Sequence, residues 1–269
     1  MKKIKYIIAA VLCISLASSC DWFQLDNQEG YDATVHGTLV DSQTGEAVLS
    51  EIYGTSSVWY TSITTGYMKI VELNWDAEAQ QTWNVKNNGT YRNNLVFAGD
   101  YRMETYDANY YPISTEFSLK KGDNTVDFTV TPYARVLDHK ISYNAGTKKI
   151  EATVTVEATD PSKTPAFKEI RLCCFTDSFV GSGLNNCKYD GGAVAKNVAV
   201  DANGRATVTL SIDTQNSFNV TEFKYDREHY VRLAVCATGN GVNTSSRYNF
   251  SPTYCLKLDG SSPVEYNEW

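Results

Sequence analysis

The sequence predicts an all-β protein built as two tandem β-sandwiches, and three observations carry that expectation. Short segments alternate apolar and polar residues with period two, while helical periodicity is nearly absent. Clusters of Gly, Asn and Asp punctuate those segments at turn spacing. About 250 residues follow the leader, too many for one small sandwich and enough for two cores.

The chain opens on a leader, residues 1–19. Lys2, Lys3 and Lys5 form a basic start, and Tyr6 to Leu16 an apolar run of about 16 Å as a helix. A membrane span needs about twenty apolar residues, so this run suits export rather than permanent anchoring. Ala17, Ser18 and Ser19 then precede Cys20, a pattern that resembles a lipoprotein cleavage site, with its preferred leucine one place early at Leu16. Cys20 is therefore the expected lipidation site, and residues 20–32 the expected tether.

The first domain is expected over residues 33–132. Its first strand runs from Thr34 to Asp41, with Val35, Gly37 and Leu39 on one face, and Gly45 supplies the positive φ of the turn after it. Further strands are predicted at Lys69 to Leu73, Thr82 to Lys86, Thr90 to Arg92, Tyr101 to Tyr106, Glu116 to Leu119 and Thr125 to Val130. Turns are predicted at Asn87-Asn88-Gly89 and Lys121-Gly122-Asp123-Asn124.

Pro132 marks the expected boundary, and residues 133–259 read as the second sandwich. Val136 to Tyr143 and Lys149 to Ala158 flank Asn144-Ala145-Gly146 as a hairpin. Lys168 to Phe175 follows. Asn197 to Val200 and Ala206 to Ile212 flank Asp201-Ala202-Asn203-Gly204 as a second expected hairpin. Tyr230 to Ala237 and Arg247 to Leu258 make the last two strands, and residues 260–269 read as a mobile tail.

Without the three leader lysines the chain carries 21 basic against 31 acidic residues, a net charge of −10. That balance argues against nucleic acid and against a basic patch for anionic lipid. Beyond Cys20 lie Cys173, Cys174, Cys187, Cys236 and Cys255, an odd number that cannot pair completely. Cys174 alternates with Ile170 and Leu172 and reads as a small buried hydrophobe, and a bridge from Cys187 to Cys173 stays open. No CxxC pair points to zinc or thioredoxin-like chemistry.

The first domain resembles the transthyretin-like, carboxypeptidase-regulatory sandwich. The resemblance lies in Val35 to Asp41 with Thr44-Gly45-Glu46, in Asn88-Gly89-Thr90-Tyr91, and in Phe97-Ala98-Gly99-Asp100-Tyr101. The second domain, through Tyr230 to Ala234 and Arg247 to Ser251, is similar to fibronectin type III-like or immunoglobulin-like strands. With Trp83 to Asn93 and Thr129 to Tyr133, the whole chain resembles a two-domain lipoprotein family of Bacteroidota encoded beside starch-utilisation-type transporter and substrate-capture pairs. That resemblance implies an outer-membrane lipoprotein, facing the cell exterior, with such a transporter and capture lipoprotein as partners and no catalytic residue. The chain departs from it in having only Asp21, Asp26 and Glu29 near Cys20, where surface-exported lipoproteins of the phylum carry an acidic run.

Site chemistry is sparse. The three histidines, His36, His139 and His229, fall in separate predicted elements and read as surface or satisfied residues. Asp190-Gly191-Gly192 and Asp201-Ala202-Asn203-Gly204 offer oxygen ligands but lack calcium-loop spacing and read as turns. No cofactor is expected. The chain is aromatic-rich, with five Trp and eighteen Tyr. Trp83 alternates with Val85 and belongs to a core. Trp59, Tyr60, Trp75, Tyr110 and Tyr111 are the candidates for contact with a sugar ring or a partner protein. The expected function is non-enzymatic capture or uptake of a polymeric nutrient, a glycan or alternatively a peptide. A fimbria-like subunit is the alternative, weakened because the first arginine after Cys20 is Arg92. A glycan-active surface enzyme rests only on unassigned carboxylates.

Overall fold

The computed structural model describes residues 30–51, 67–74, 77–104, 108–187, 190–216, 219–239, 242 and 247–266. The leader, Cys20 and most of the tether lie outside them. Two β-sandwiches follow one another along the chain. The first contains β1 (Ala33–Asp41), β2 (Tyr67–Glu72), β3 (Ala79–Asn84), β4 (Thr90–Val96), β5 (Gly99–Glu104), β6 (Ser114–Leu119), β7 (Gly122–Thr125) and β8 (Phe128–Val130). One sheet has the order β4-β1-β7, with β8 also on β1, and the other has the order β3-β2-β5-β6.

Between them lie Val35, Leu39, Met68, Ile70, Trp83, Tyr91, Tyr101, Met103 and Phe128, all buried. Strand β1 shows why the sequence folds this way: its burial alternates strictly, with Ala33, Val35, Gly37, Leu39 and Asp41 inward. The expected strand from Thr125 to Val130 is in fact two short strands. Gly122 to Thr125, read from sequence partly as a turn, runs parallel to Ala33 to His36. Phe128 to Val130 runs parallel to Leu39 to Asp41. The break falls at Val126 and Asp127, whose backbone bulges toward Gly37. A Cβ on Gly37 would stand 1.8 Å from the Val126 carbonyl oxygen, so only glycine fits there.

The second sandwich contains β9 (Ala134–Asn144), β10 (Lys149–Ala158), β11 (Ala166–Phe175), β12 (Val194–Ala199), β13 (Arg205–Asp213), β14 (His229–Thr238), β15 (Tyr248–Phe250), β16 (Tyr254–Leu256) and β17 (Val264–Glu265). One sheet is β13-β10-β9; the other is β12-β11-β14-β16-β17, with β15 also on β14. Ile150, Val154, Val156, Phe167, Ile170, Leu172, Ile212, Leu233 and Val235 fill the space between.

Three expectations change here. The Asp201 to Gly204 turn is present, with Gly204 at φ +77°, but it makes no hairpin, because β12 pairs with β11 and β13 with β10. The turn carries the chain from one sheet across to the other. The last strand is broken in two because Pro252 has no N–H to donate, and at the break Ser251 takes over, its Oγ accepting from Leu233 N at 3.0 Å. The tail expected to be mobile instead returns as β17, pairing Val264 and Glu265 with Cys255 and Tyr254.

The larger sheet of the second sandwich is buried on both faces. Val231, Leu233 and Val235 face the core, while Cys173, Ala234, Cys236, Tyr248 and Phe250 form a second cluster with Leu49 of the first domain packed against it. A strand buried on both sides loses its polar alternation, which accounts for the run Val231 to Ala237 with Arg232 as its one charge.

The histidines occupy three different environments. His36 is half-exposed beside Asp123 at 3.4 Å, and His139 bonds the Tyr254 hydroxyl at 2.8 Å. His229 is 1% exposed, packs on the Phe223 ring at 4.9 Å, and its Nε2 has no hydrogen-bond partner among the described residues. Burial, helped by nearby Arg227, pushes its pKa down to about 4. The unfolded chain then binds the extra proton between about pH 6.5 and 4, and stability falls as pH drops through that window. His229→Phe is expected to remove up to about 3 kcal/mol of that acid loss. Urea titrations of both proteins at pH 7 and pH 4 read it out; identical pH slopes would refute it.

Candidate functional site

The two sandwiches meet along a cleft of about 600 Å³, a size suited to a small ligand or a few sugar rings. The first domain contributes Thr44, Glu46, Val48, Leu49, Asn87 and Asn88. The second contributes Arg135, Leu137, Phe250, Thr253, Glu265 and Tyr266. Its buried lining includes Asp41, Arg135, Arg232 and Asn249, whereas Glu46, Leu137 and Glu265 are exposed at its rim.

Each floor residue is fixed by a bond across the domain junction. Arg135, at the start of β9, forks onto Asp41, at the end of β1: Nε reaches Oδ2 at 2.5 Å and Nη2 reaches Oδ1 at 2.7 Å. Its Nη1 donates to Gln43 Oε1 at 2.7 Å. Burial opposes ionisation of Asp41, but the Arg135 guanidinium and the Gln43 amide outweigh it and hold the carboxyl below its usual range. Arg232, in β14, donates to three backbone carbonyls: Ser251 at 2.8 Å, Ser50 at 3.1 Å and Asn87 at 3.2 Å. Its guanidinium lies 4.2 Å from the Phe250 ring centre. Desolvation pulls its pKa down to about 10, against the opposing charge of Glu51.

Two asparagines complete the junction. Asn109 Nδ2 donates to the carbonyls of Leu49 at 2.9 Å and Tyr248 at 3.0 Å. Asn249 Nδ2 donates to Asn109 O at 2.9 Å, while its Oδ1 accepts from Ala134 N at 3.0 Å. Glu51 accepts from the Ser182 amide at 2.9 Å and from its hydroxyl at 2.5 Å. Paired this way, the buried polar groups pin the domains and leave a preformed cleft.

The sequence-predicted aromatics fall differently. Trp59, Tyr60 and Trp75 lie outside the described residues. Tyr110, expected on a contact loop, is 1% exposed in the first core and forms a bridge with Pro132, so its ring cannot form a platform. Tyr111 is half-buried at the junction, edge-on to Tyr133 at 4.8 Å and bonded to Thr164 Oγ1 at 3.2 Å. The cleft's own aromatic at the rim is Tyr266, edge-on to Tyr230 at 5.1 Å, with its N–H donating to Thr253 O at 2.8 Å. Sequence reading missed it by assigning it to a mobile tail, although Val264-Glu265-Tyr266 alternates as a strand end.

The glycine-rich loops are turns. Asp190 uses its carboxylate for Gly192 N at 2.9 Å, Asp213 N at 3.0 Å and Asn219 Nδ2 at 2.8 Å. Asp201 accepts from the Asn203 and Arg205 amides at 2.8 and 2.9 Å. Among the described residues no three His, Cys, Asp or Glu side chains converge as metal ligands.

Residues 33–131 match the family model described as the N-terminal domain of DUF3823, a protein of unknown function. A solved structure from Bacteroides uniformis is 33% identical, with a TM-score of 0.72, over 85% of this chain and 100% of that one. The chain belongs to the DUF3823 family. That Bacteroides uniformis protein is provisionally described as carbohydrate-binding. DUF3823 structures from Parabacteroides merdae and Bacteroides ovatus share the fold at 19% and 18% identity. They cover 86% and 84% of this chain and 100% of each of those, with TM-scores of 0.63 and 0.60. The likeness of fold extends over most of the chain, beyond the residues that the family model matches. No curated protein matches the chain.

Proposed function

We propose that this DUF3823 protein is a non-enzymatic lipoprotein that binds glycan in the interdomain cleft. In this reading it is held on the outer membrane through Cys20, faces the exterior, and works beside a TonB-dependent transporter and its capture lipoprotein. The observation that carries the reading is the cleft itself, in a chain 33% identical to a provisionally carbohydrate-binding protein. Its lining mixes hydrogen-bonding groups (Glu46, Asn88, Thr253, Glu265) with the apolar surfaces of Leu137 and Tyr266. That mixture suits a sugar, whose hydroxyls seek acceptors and donors while its C–H face stacks on a ring. The charged floor supports binding over catalysis, since Asp41 is committed to Arg135 and Arg232 to backbone carbonyls.

The test is calorimetry of the mature chain against a panel of oligosaccharides, with Tyr266→Ala beside the wild type. Loss of the rim aromatic is expected to weaken binding about tenfold, in line with a stacking contact worth about 1.4 kcal/mol. Unchanged affinity in Tyr266→Ala would remove the cleft from the reading, and absence of binding to any glycan would remove the ligand class. Recovery of Cys20→Ser in the soluble fraction, with wild type in membranes, tests the anchor. Co-purification from solubilised membranes tests the transporter partner.

A further inference from the structure

Cys174, near the end of β11, and Cys187, in the loop after it, meet inside the second sandwich. Both are buried in its main core beside Ile170, Leu172 and Val231, and both stand as free thiols in the structure. The backbone enforces the approach. Asn186 N donates to Cys174 O at 3.0 Å, and a single atom, Asn185 Oδ1, accepts from both Cys174 N at 3.2 Å and Cys187 N at 3.0 Å. Cys173 belongs to the cluster on the opposite face of the sheet, so the bridge left open between Cys187 and Cys173 is displaced by its neighbour.

We propose that Cys174 and Cys187 form a disulfide that staples the loop of residues 176–186 to β11. The proposal rests on the export reading above, because such bonds persist in oxidising compartments. A protein disulfide donor of the cell envelope is the oxidant. One cysteine thiolate attacks the donor's disulfide to give a mixed disulfide, and the second thiolate displaces the donor as a dithiol. Two thiols lose two protons and two electrons, one S–S bond forms, and the donor is reduced by the same two electrons. Both thiols are at most 1% exposed in the folded chain, so the exchange precedes closure of the core. Hydrogen bonding to Cys187 and burial push the Cys174 thiol well above its ordinary range, so residual exchange after folding is slow. The closed ring then restricts the unfolded chain and shelters a glycine-bearing loop from opening.

The experiment uses the full mature chain with Cys20→Ser. It is refolded from denaturant in a glutathione redox buffer, acid-quenched, unfolded and alkylated. Cys173, Cys236 and Cys255 are expected to alkylate, with the peptides holding Cys174 and Cys187 joined and about 2 Da lighter than their reduced sum. Fragmentation between Cys173 and Cys174 assigns the bond. Reductant should lower the melting temperature by roughly 10 °C in this protein and leave the melting temperature of its Cys187→Ser variant unmoved. Five alkylated cysteines, or a bond through Cys173, would overturn the pairing. The same mapping on chain taken from cell envelopes tests it in place: five free thiols there also overturn the proposal. Failure to find the chain in the envelope would count against export alone, since the refolding arm still decides the pairing.

Discussion

Asp41→Ala is expected to destabilise the protein by about 3–5 kcal/mol, because it strands a buried guanidinium. Asp41 and Arg135 are 6% and 8% exposed, and Asp41 supplies both oxygens of the fork. After the substitution Arg135 keeps Gln43 and a longer contact to Glu157 at 3.6 Å, too little to replace a bidentate carboxylate. Arg135→Met in the same background should restore much of the loss, since two uncharged side chains leave no buried ion. Chemical denaturation of the single and double variants measures both terms. If Asp41→Ala lost under about 1 kcal/mol, the ion pair would be worth no more than an exposed one. The pair also sets an acid limit: the Asp41 carboxyl is held below its usual range, so its contribution is complete above about pH 4 and fades as pH falls further.

Trp83→Ala should cost a similar amount, about 3–5 kcal/mol, for a different reason. The Trp83 ring is 2% exposed and lies 5.9 Å from Tyr91, 6.1 Å from Tyr101 and 6.0 Å from Phe117. These contacts join β3 to β4, β5 and β6, so the cavity would open between the two sheets of the first domain and bordering side chains would relax only in part. Trp83→Phe keeps most of the volume and should cost less than half as much. Thermal and urea unfolding of the two variants give the comparison. Equal losses would show that the Nε1 bond to Gln81 at 3.1 Å, rather than ring volume, dominates.

Trp83 was legible in the sequence because period two beside Val85 fixes its face. The same rule placed β1, β10 and β13 within a residue or two of their observed ends. It failed where pairing is decided at long range. Asp201 to Gly204 has ideal hairpin chemistry, yet its flanking strands join different sheets, and no local signal distinguishes the two outcomes. Gly122 to Asn124 reads as a turn, and its strand state exists only because β1 offers it a parallel partner. The cleft was less legible still. It is assembled from β1, the segment after it, β9, β14 and the chain's last strand, residues with no common motif. Its buried arginines carry no mark in the sequence that separates them from surface ones. Tyr110, by contrast, was misplaced because an aromatic pair in a polar stretch looks exposed until the first domain's core closes over it.

Strand β1 has a consequence for how the molecule comes into being. It lies in the middle of its sheet, yet one flank is covered only by segments some 89 positions downstream, as Thr34 with Asp123 and Thr38 with Asp127 show. Such separation makes closure slow, because a long loop must be ordered before any contact repays it. A chain emerging N-terminus first therefore cannot complete its first domain until about residue 130 has appeared. Until then β1 offers a bare edge on which a foreign strand can pair. Under the proposed export, that delay serves the molecule: it keeps the leading half threadable through a narrow translocation pore and postpones commitment until the far side is reached.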